Sequence, residues 1–171
     1  MAIVRGEKPE ERGAVEDLLR RVYRREDEAR LLAELRRSPD FVPEMSVVAD
    51  LEGTLAGYAL FMKAGVAAES GSYPSAALVL LAVPPEHKRS GVAERLIRHS
   101  VERGRGLGLR FLFVIGESGY FTRFGFKKAS DFGLEPDFDT AGGGLLVMPL
   151  QNDLPGRING KVRYSKGIQP G

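Results

Sequence analysis

The sequence predicts a domain of the α/β class, built from helices around a mixed β-sheet. Segments with strand-like apolar patterns alternate along the chain with segments whose apolar residues recur at helical spacing. Near the middle, two apolar strands over residues 76–83 and 109–115 flank one helix over residues 90–103. Continuous apolar runs are typical of strands buried on both faces, so we expect these two strands at the centre of the sheet.

The other predicted elements follow from the same reading of periodicity. A short strand at residues 3–4 precedes a helix whose apolar positions are Val15, Leu18, Leu19, Val22 and Tyr23. Leu31, Leu32 and Leu35 mark a second helix. The remaining predicted elements are strands over 46–51 and 54–61, a short helix over 118–124, a strand over 145–150 and a short strand over 161–164.

Length and composition predict one domain over residues 1–171, of which residues 151–171 are a C-terminal tail. The chain has no cysteine, which excludes disulfides, thiolate nucleophiles and thiolate metal sites. His87 and His99 are the two histidines, and neither has a carboxylate at metal-ligand spacing, so no metal is expected. The domain is expected to act as a monomer or a homodimer.

Charge and hydropathy indicate whether the protein binds a membrane or a nucleic acid. The longest apolar stretch, residues 76–85, is about half of the roughly 20 residues that a membrane helix needs. Arg5, Glu7, Lys8 and Glu10 are charged where a secretory signal would be apolar. We therefore expect a cytoplasmic protein with no membrane partner. The net charge is only +2, and the basic tail lacks interleaved aromatic residues. We expect the tail to be a solvated edge and the protein not to bind nucleic acid.

The segment PPEHKRSGVAERL, residues 84–96, has the features of an anion site at the start of a helix. The first N–H groups of a helix are unpaired and carry the positive end of its dipole. Lys88 and Arg89 add positive charge, Ser90 can cap the helix, and Gly91 and Ala93 keep the backbone approachable. From spacing alone a solvated turn is an equally good interpretation.

This segment resembles motif A of the GNAT acetyltransferase superfamily, whose pattern is Gln or Arg, two variable residues, Gly, one variable residue, then Gly or Ala. Here it reads from Lys88 to Ala93. The stretches LAV at 81–83, FLFVIG, GYFTRFGF, DEARLLAELR and GKVRYS resemble further family segments, and GYFTRFGF is the most specific. The resemblance covers nearly the whole chain and is strongest to a bacterial subgroup of predicted N-acetyltransferases.

The resemblance implies a GNAT-type fold: a mostly antiparallel mixed sheet flanked by helices, with splayed central strands around acetyl-CoA. The acetyl group passes directly to a primary amine of a small molecule or peptide. Backbone N–H groups at 81–83 stabilise the oxyanion if a bulge splays that strand. The implied cofactor-binding residues are Leu81, Ala82, Val83, Lys88, Arg89, Ser90, Gly91, Val92, Ala93, Ser118, Tyr120 and Phe121.

The implied catalytic residues depend on two departures from the family pattern. Lys88 replaces the usual Gln or Arg, and Phe121 stands where many relatives carry a tyrosine that protonates the CoA thiolate. Phenylalanine cannot donate a proton, so Tyr120 is the substitute acid, with a packed aromatic as the alternative interpretation. Glu69 and Glu117 are candidate bases, with ordinary surface carboxylates as the alternative.

Two other functions are compatible with parts of the sequence. Phe121 allows a non-catalytic domain that binds acetyl-CoA as a sensor or interaction module. Residues 116–120, GESGY, resemble a serine nucleophile elbow, but its final glycine is replaced by Tyr120 and both histidines precede the serine. A hydrolase is therefore not expected.

Overall fold

A computed structural model describes residues 1–170 apart from the side chain of Ser118. It contains the helices and strands that the sequence predicts, together with further short elements. The helices are α1 Arg12–Tyr23, α2 Asp27–Leu35, α3 Val92–Gly106 and α4 Ser118–Phe121. The strands are β1 Ile3–Gly6, β2 Ser46–Leu51, β3 Thr54–Ala68, β4 Gly71–Ala82, β5 Phe111–Gly116, β6 Lys127–Lys128, β7 Leu134–Pro136, β8 Gly144–Pro149 and β9 Gly160–Tyr164.

Backbone proximity divides the chain into two units. Unit 1 comprises Met1–Phe61 and Val79–Ser100, and unit 2 comprises Met62–Leu78 and Val101–Gly171. Strands β3 and β4 and helix α3 each have residues in both units. That residues 1–171 act as one domain stays a prediction.

In unit 1, the first three strands form an antiparallel meander. Strand β1 pairs with β2, and β2 pairs with β3, with Ser46 opposite Leu60. Helices α1 and α2 bury their apolar faces, which for α1 consist of Val15, Leu18 and Leu19. The strands predicted over 46–51 and 54–61 pair as a hairpin, and both residues of its turn, Glu52 and Gly53, adopt the positive φ that a tight turn requires.

In unit 1, the first turns of α3 pack closely against β3. A Cβ on Gly57 of β3 would lie 2.8 Å from Cγ1 of Val92 and 2.9 Å from Cδ1 of Leu96. Both α3 side chains are buried, in a cluster with Val47 and Ala59. Glycine at position 57 therefore lets the start of α3 approach the strand.

In unit 2, strand β5 has a parallel neighbour and an antiparallel one. It pairs in parallel with β4, with Ser75 opposite Phe111, and antiparallel with β8, which also pairs with β6. Strand β9 pairs antiparallel with β3 and in parallel with β7. Most pairs are antiparallel, so the expected class of a mixed, mostly antiparallel sheet with flanking helices is confirmed.

The C-terminal tail, residues 151–171, was expected to be a solvated edge of the domain, and that expectation was wrong. Strand β9 has a neighbour on each side, and its Val162 is fully buried. Two of its basic residues face acidic partners: Lys161 lies 2.6 Å from Glu135, and Arg163 lies 3.4 Å from Asp137. Pairing with these carboxylates offsets the positive charge that the tail carries in the sequence.

Candidate functional site

The turn from β4 into α3 is short and exposed. Pro85–His87 form one 3-10 turn after the strand, and α3 begins at Val92 rather than at the predicted residue 90. Gly91 has a φ of +78°, a left-handed conformation that favours glycine, and its carbonyl accepts the N–H of Arg95 at 3.1 Å. The helix therefore starts directly after Gly91.

Ser90 does not cap α3, contrary to the sequence-based expectation. Its hydroxyl donates to the carbonyl of His87 at 2.6 Å, and its backbone N–H donates to the same carbonyl at 3.2 Å. Since the helix starts two residues later than predicted, the Ser90 side chain closes the preceding turn instead. The first N–H groups of α3 are thus not occupied by this hydroxyl.

The Gly91 turn has the geometry and the charge of an anion site. Nothing lies within 4 Å of where a Cβ on Gly91 would be, so the space over the turn is open. Lys88 and Arg89 lie beside it, and Val92 and Ala93 begin the helix. A pyrophosphate placed here would meet unpaired N–H groups, the positive end of the helix dipole and two cations.

Two side chains of helix α1 contact the end of β4 and the turn that follows it. The hydroxyl of Tyr23 donates to the carbonyl of Leu81 on β4 at 3.3 Å, and Arg21 forms an ion pair with Glu86 in the turn that follows. Helical periodicity placed Tyr23 among the apolar positions of the first helix. Periodicity could not reveal this contact, because the two residues are 58 positions apart.

The strand end that the resemblance assigns to cofactor binding is formed by Leu81, Ala82 and Val83. Leu81 is half-buried, while Ala82 and Val83 are buried. The carbonyl of Ala82 lies 3.4 Å from where a Cβ on Gly57 would be, so it faces β3. The bulge and the oxyanion role at these residues stay predictions.

In unit 2, α4 carries the aromatic residues of GYFTRFGF. A Cβ on Gly116 would lie 2.8 Å from Cε2 of Phe121, so the ring of Phe121 covers that glycine at the end of β5. Tyr120 is 39% exposed, and its ring contacts Phe121 edge-on with centroids 4.9 Å apart. The guanidinium of Arg123 lies 4.5 Å from the Tyr120 ring centroid. The side chain of Ser118 lies outside the described part of the chain.

The two candidate bases line different cavities of unit 2. Glu117 follows β5 and borders a cavity of about 810 Å³ together with Lys128 and the glycine run 142–144. Glu69 is exposed in the turn between β3 and β4 and borders a cavity of about 750 Å³ that Arg157 also lines. The structure does not bring the two carboxylates together in one cavity.

Two other kinds of site are not found among the described residues. Within residues 1–170, no group of three or more histidine, aspartate or glutamate side chains is arranged to hold a metal ion. In that same part of the chain, no helix is both long enough and apolar enough to cross a bilayer.

Comparison with known proteins identifies a family and relatives of similar sequence. Residues 4–129 match the family model of the acetyltransferase (GNAT) domain. Uncharacterized N-acetyltransferase YjhQ of Escherichia coli K12 is 37% identical over 103 residues, which cover 60% of this chain and 57% of that relative. This chain therefore matches less than two thirds of YjhQ. Uncharacterized N-acetyltransferase YhbS of the same strain is 26% identical over 95% of both chains.

Several solved structures share the fold, and two of them were solved with CoA or acetyl-CoA. The crystal structure of Escherichia coli YhbS in complex with CoA has a TM-score of 0.83 and 25% identity, and covers 97% of this chain and 91% of its own. A GNAT family acetyltransferase from Brucella melitensis, solved in complex with acetyl-CoA, has a TM-score of 0.73 and 22% identity, and covers 98% and 97%. At that identity, the second structure supports the fold alone.

Proposed function

Because the chain belongs to the GNAT acetyltransferase family, we propose that it transfers an acetyl group from acetyl-CoA to a primary amine of a small molecule or peptide. The observation that carries the proposal is the Gly91 turn, where an open left-handed glycine, a helix start and two neighbouring cations coincide. The pyrophosphate of acetyl-CoA binds there, against Lys88 to Ala93, and the pantetheine arm pairs with the backbone at 81–83.

The reaction needs no covalent enzyme intermediate. The amine nitrogen attacks the thioester carbonyl, and backbone N–H groups at 81–83 stabilise the oxyanion that forms. Glu117 is the preferred base, because it borders the larger cavity next to α4, the helix that the resemblance assigns to the cofactor. Glu69 is the second candidate base. Comparing Glu117→Gln with Glu69→Gln in turnover assays separates the two carboxylates.

The first experiment measures cofactor binding through thermal stability. Acetyl-CoA at 100 times its Kd should stabilise the folded state by about 2.7 kcal/mol and raise the Tm. Gly91→Asp should abolish this shift, because it places a negative side chain against the pyrophosphate. Gly108→Asp is the matched control, since Gly108 also has a positive φ and nothing within 4 Å of where its Cβ would be. A shift of wild-type size in both variants contradicts the proposal.

A second experiment distinguishes an enzyme from a sensor that only binds acetyl-CoA. Phe121 favours the sensor as the alternative function, because its apolar ring supplies no proton. Thiol release from acetyl-CoA is followed across a panel of primary amines, peptides and aminoglycosides. Release that depends on one of these acceptors supports the transferase. A thermal shift without release on any acceptor supports the sensor. Tyr120→Phe in the same assay tests the acid named from the sequence.

A further inference from the structure

The hydroxyl of Tyr23 lies at the edge of β4 that is turned away from β3. It donates to the carbonyl of Leu81 at 3.3 Å. The next carbonyl, that of Ala82, faces Gly57 on β3. Successive carbonyls of a strand point to opposite edges, so the carbonyl of Leu81 points away from β3. On that edge β4 pairs with β5 at residues 75–77, and Tyr23 reaches the edge four residues further along, at Leu81.

The position of the Gly91 turn decides which end of the cofactor arm meets Tyr23. This step rests on the proposed function, in which the pyrophosphate sits at the start of α3. From that turn the arm runs back along β4, so it passes Val83 first and Leu81 last. The thioester end of the arm consequently lies nearest to Leu81, where the Tyr23 hydroxyl is held.

The end of helix α1 fixes the backbone of Tyr23, whereas a long hydrogen bond holds its hydroxyl only weakly. Helix α1 ends at Tyr23, because Arg24 adopts a left-handed φ of 59° and its N–H donates to Arg20. The 3.3 Å bond to Leu81 is longer than the usual 2.7–2.8 Å, so it holds the hydroxyl weakly. Burial raises the pKa of the Tyr23 phenol, and the carboxylate of Glu28 adds to this, so the phenol keeps its proton at neutral pH.

We infer that the Tyr23 hydroxyl donates the proton to the departing CoA thiolate, the role for which Phe121 has no group. The amine nitrogen forms a bond to the acetyl carbon, and the carbon–sulfur bond breaks with its electron pair going to sulfur. Tyr23 gives its proton to that sulfur, which yields the free thiol of CoA. The base takes the proton that the nitrogen loses, and the phenolate of Tyr23 recovers a proton from water.

The test is Tyr23→Phe, which removes one oxygen atom and keeps the ring. Turnover is measured as thiol release from acetyl-CoA with the acceptor that the wild type uses best. General acid catalysis contributes 10² to 10⁴ in rate, so kcat should fall by about 10² or more. The KM for acetyl-CoA and the thermal shift with acetyl-CoA should stay within about twofold of wild type, because the acid acts in the transition state. Tyr73→Phe is the control, because it also removes one hydroxyl bonded to a neighbour, Ser70, and should leave kcat unchanged.

The thermal shift with acetyl-CoA separates proton donation from a merely structural role. A purely structural loss at Leu81 would lower the thermal shift together with kcat, and that outcome also overturns the inference. Turnover in Tyr23→Phe within about twofold of wild type overturns the inference and leaves the proposed function standing. Absence of any acetyl-CoA shift in the wild type overturns both.

Discussion

The contact between Gly57 and α3 gives a prediction whose magnitude follows from the structure. Gly57→Ala adds a Cβ at 2.8 Å from Val92 and 2.9 Å from Leu96, both nearer than atoms of that kind approach. Both side chains are buried, and valine is stiff at χ1, so neither can simply swing away. Overpacking of this kind costs about 1–3 kcal/mol.

A smaller effect on the unfolded chain opposes this cost. Alanine has fewer backbone conformations than glycine, which stabilises the folded protein by about 0.4–1 kcal/mol. The net loss for Gly57→Ala should be about 1–2 kcal/mol, since the steric term is the larger. In a chain of this size that lowers the Tm by roughly 2–8 °C. The thermal shift with acetyl-CoA should also shrink, because the side chains that must move begin the helix at the Gly91 turn.

The control is Gly65→Ala in the same strand, where nothing lies within 4 Å of the added Cβ. Urea and thermal unfolding of the two variants are compared with wild type. Gly65→Ala should be neutral or slightly stabilising. Adding Val92→Ala to Gly57→Ala should cost less than the sum of the two single changes, since it removes the atom that is crowded. If Gly57→Ala is as stable as Gly65→Ala, the close-approach argument is wrong.

Three further predictions concern stability. Arg36→Ala leaves the carboxylate of Glu7 buried without its cationic partner, although the Ser46 hydroxyl still donates to it, so the free energy of unfolding in urea should fall by about 3–5 kcal/mol; a loss under about 1 kcal/mol contradicts this. The hydrogen bond from Arg5 lowers the pKa of Glu11 from 4.5 to about 2, so its contribution is present above pH 4.5 and is lost as the pH falls toward 2; Glu11→Gln should flatten the acid limb of a stability profile, and an unchanged limb refutes it. Tyr164 buries a hydroxyl with no described partner, so Tyr164→Phe should leave the Tm unchanged or raise it; a clear drop in Tm would mean that the hydroxyl is bonded.

The sequence predicted the parts of the fold that depend on neighbouring residues. Periodicity located α1, the β2–β3 hairpin and β5, because apolar spacing reports which face of an element is buried. The Gly91 turn was also readable, since a glycine between a strand and a helix meets a local backbone requirement. Boundaries were less accurate: α3 starts two residues later than predicted, and Ser90 serves the preceding turn instead.

Tertiary structure decided the features that join distant residues. The short strands β6 and β7 have too few residues for a period, and they exist through pairing with β8 and β9. The basic residues of the tail pair with carboxylates on and just after β7, some 26 residues earlier in the chain. Local sequence patterns do not report a pairing over that separation. In the candidate site, the sequence determined that a helix start could bind an anion, because that depends on consecutive backbone groups. Only the tertiary structure placed the Tyr23 hydroxyl at Leu81, because that contact is made by two elements whose approach no local pattern records.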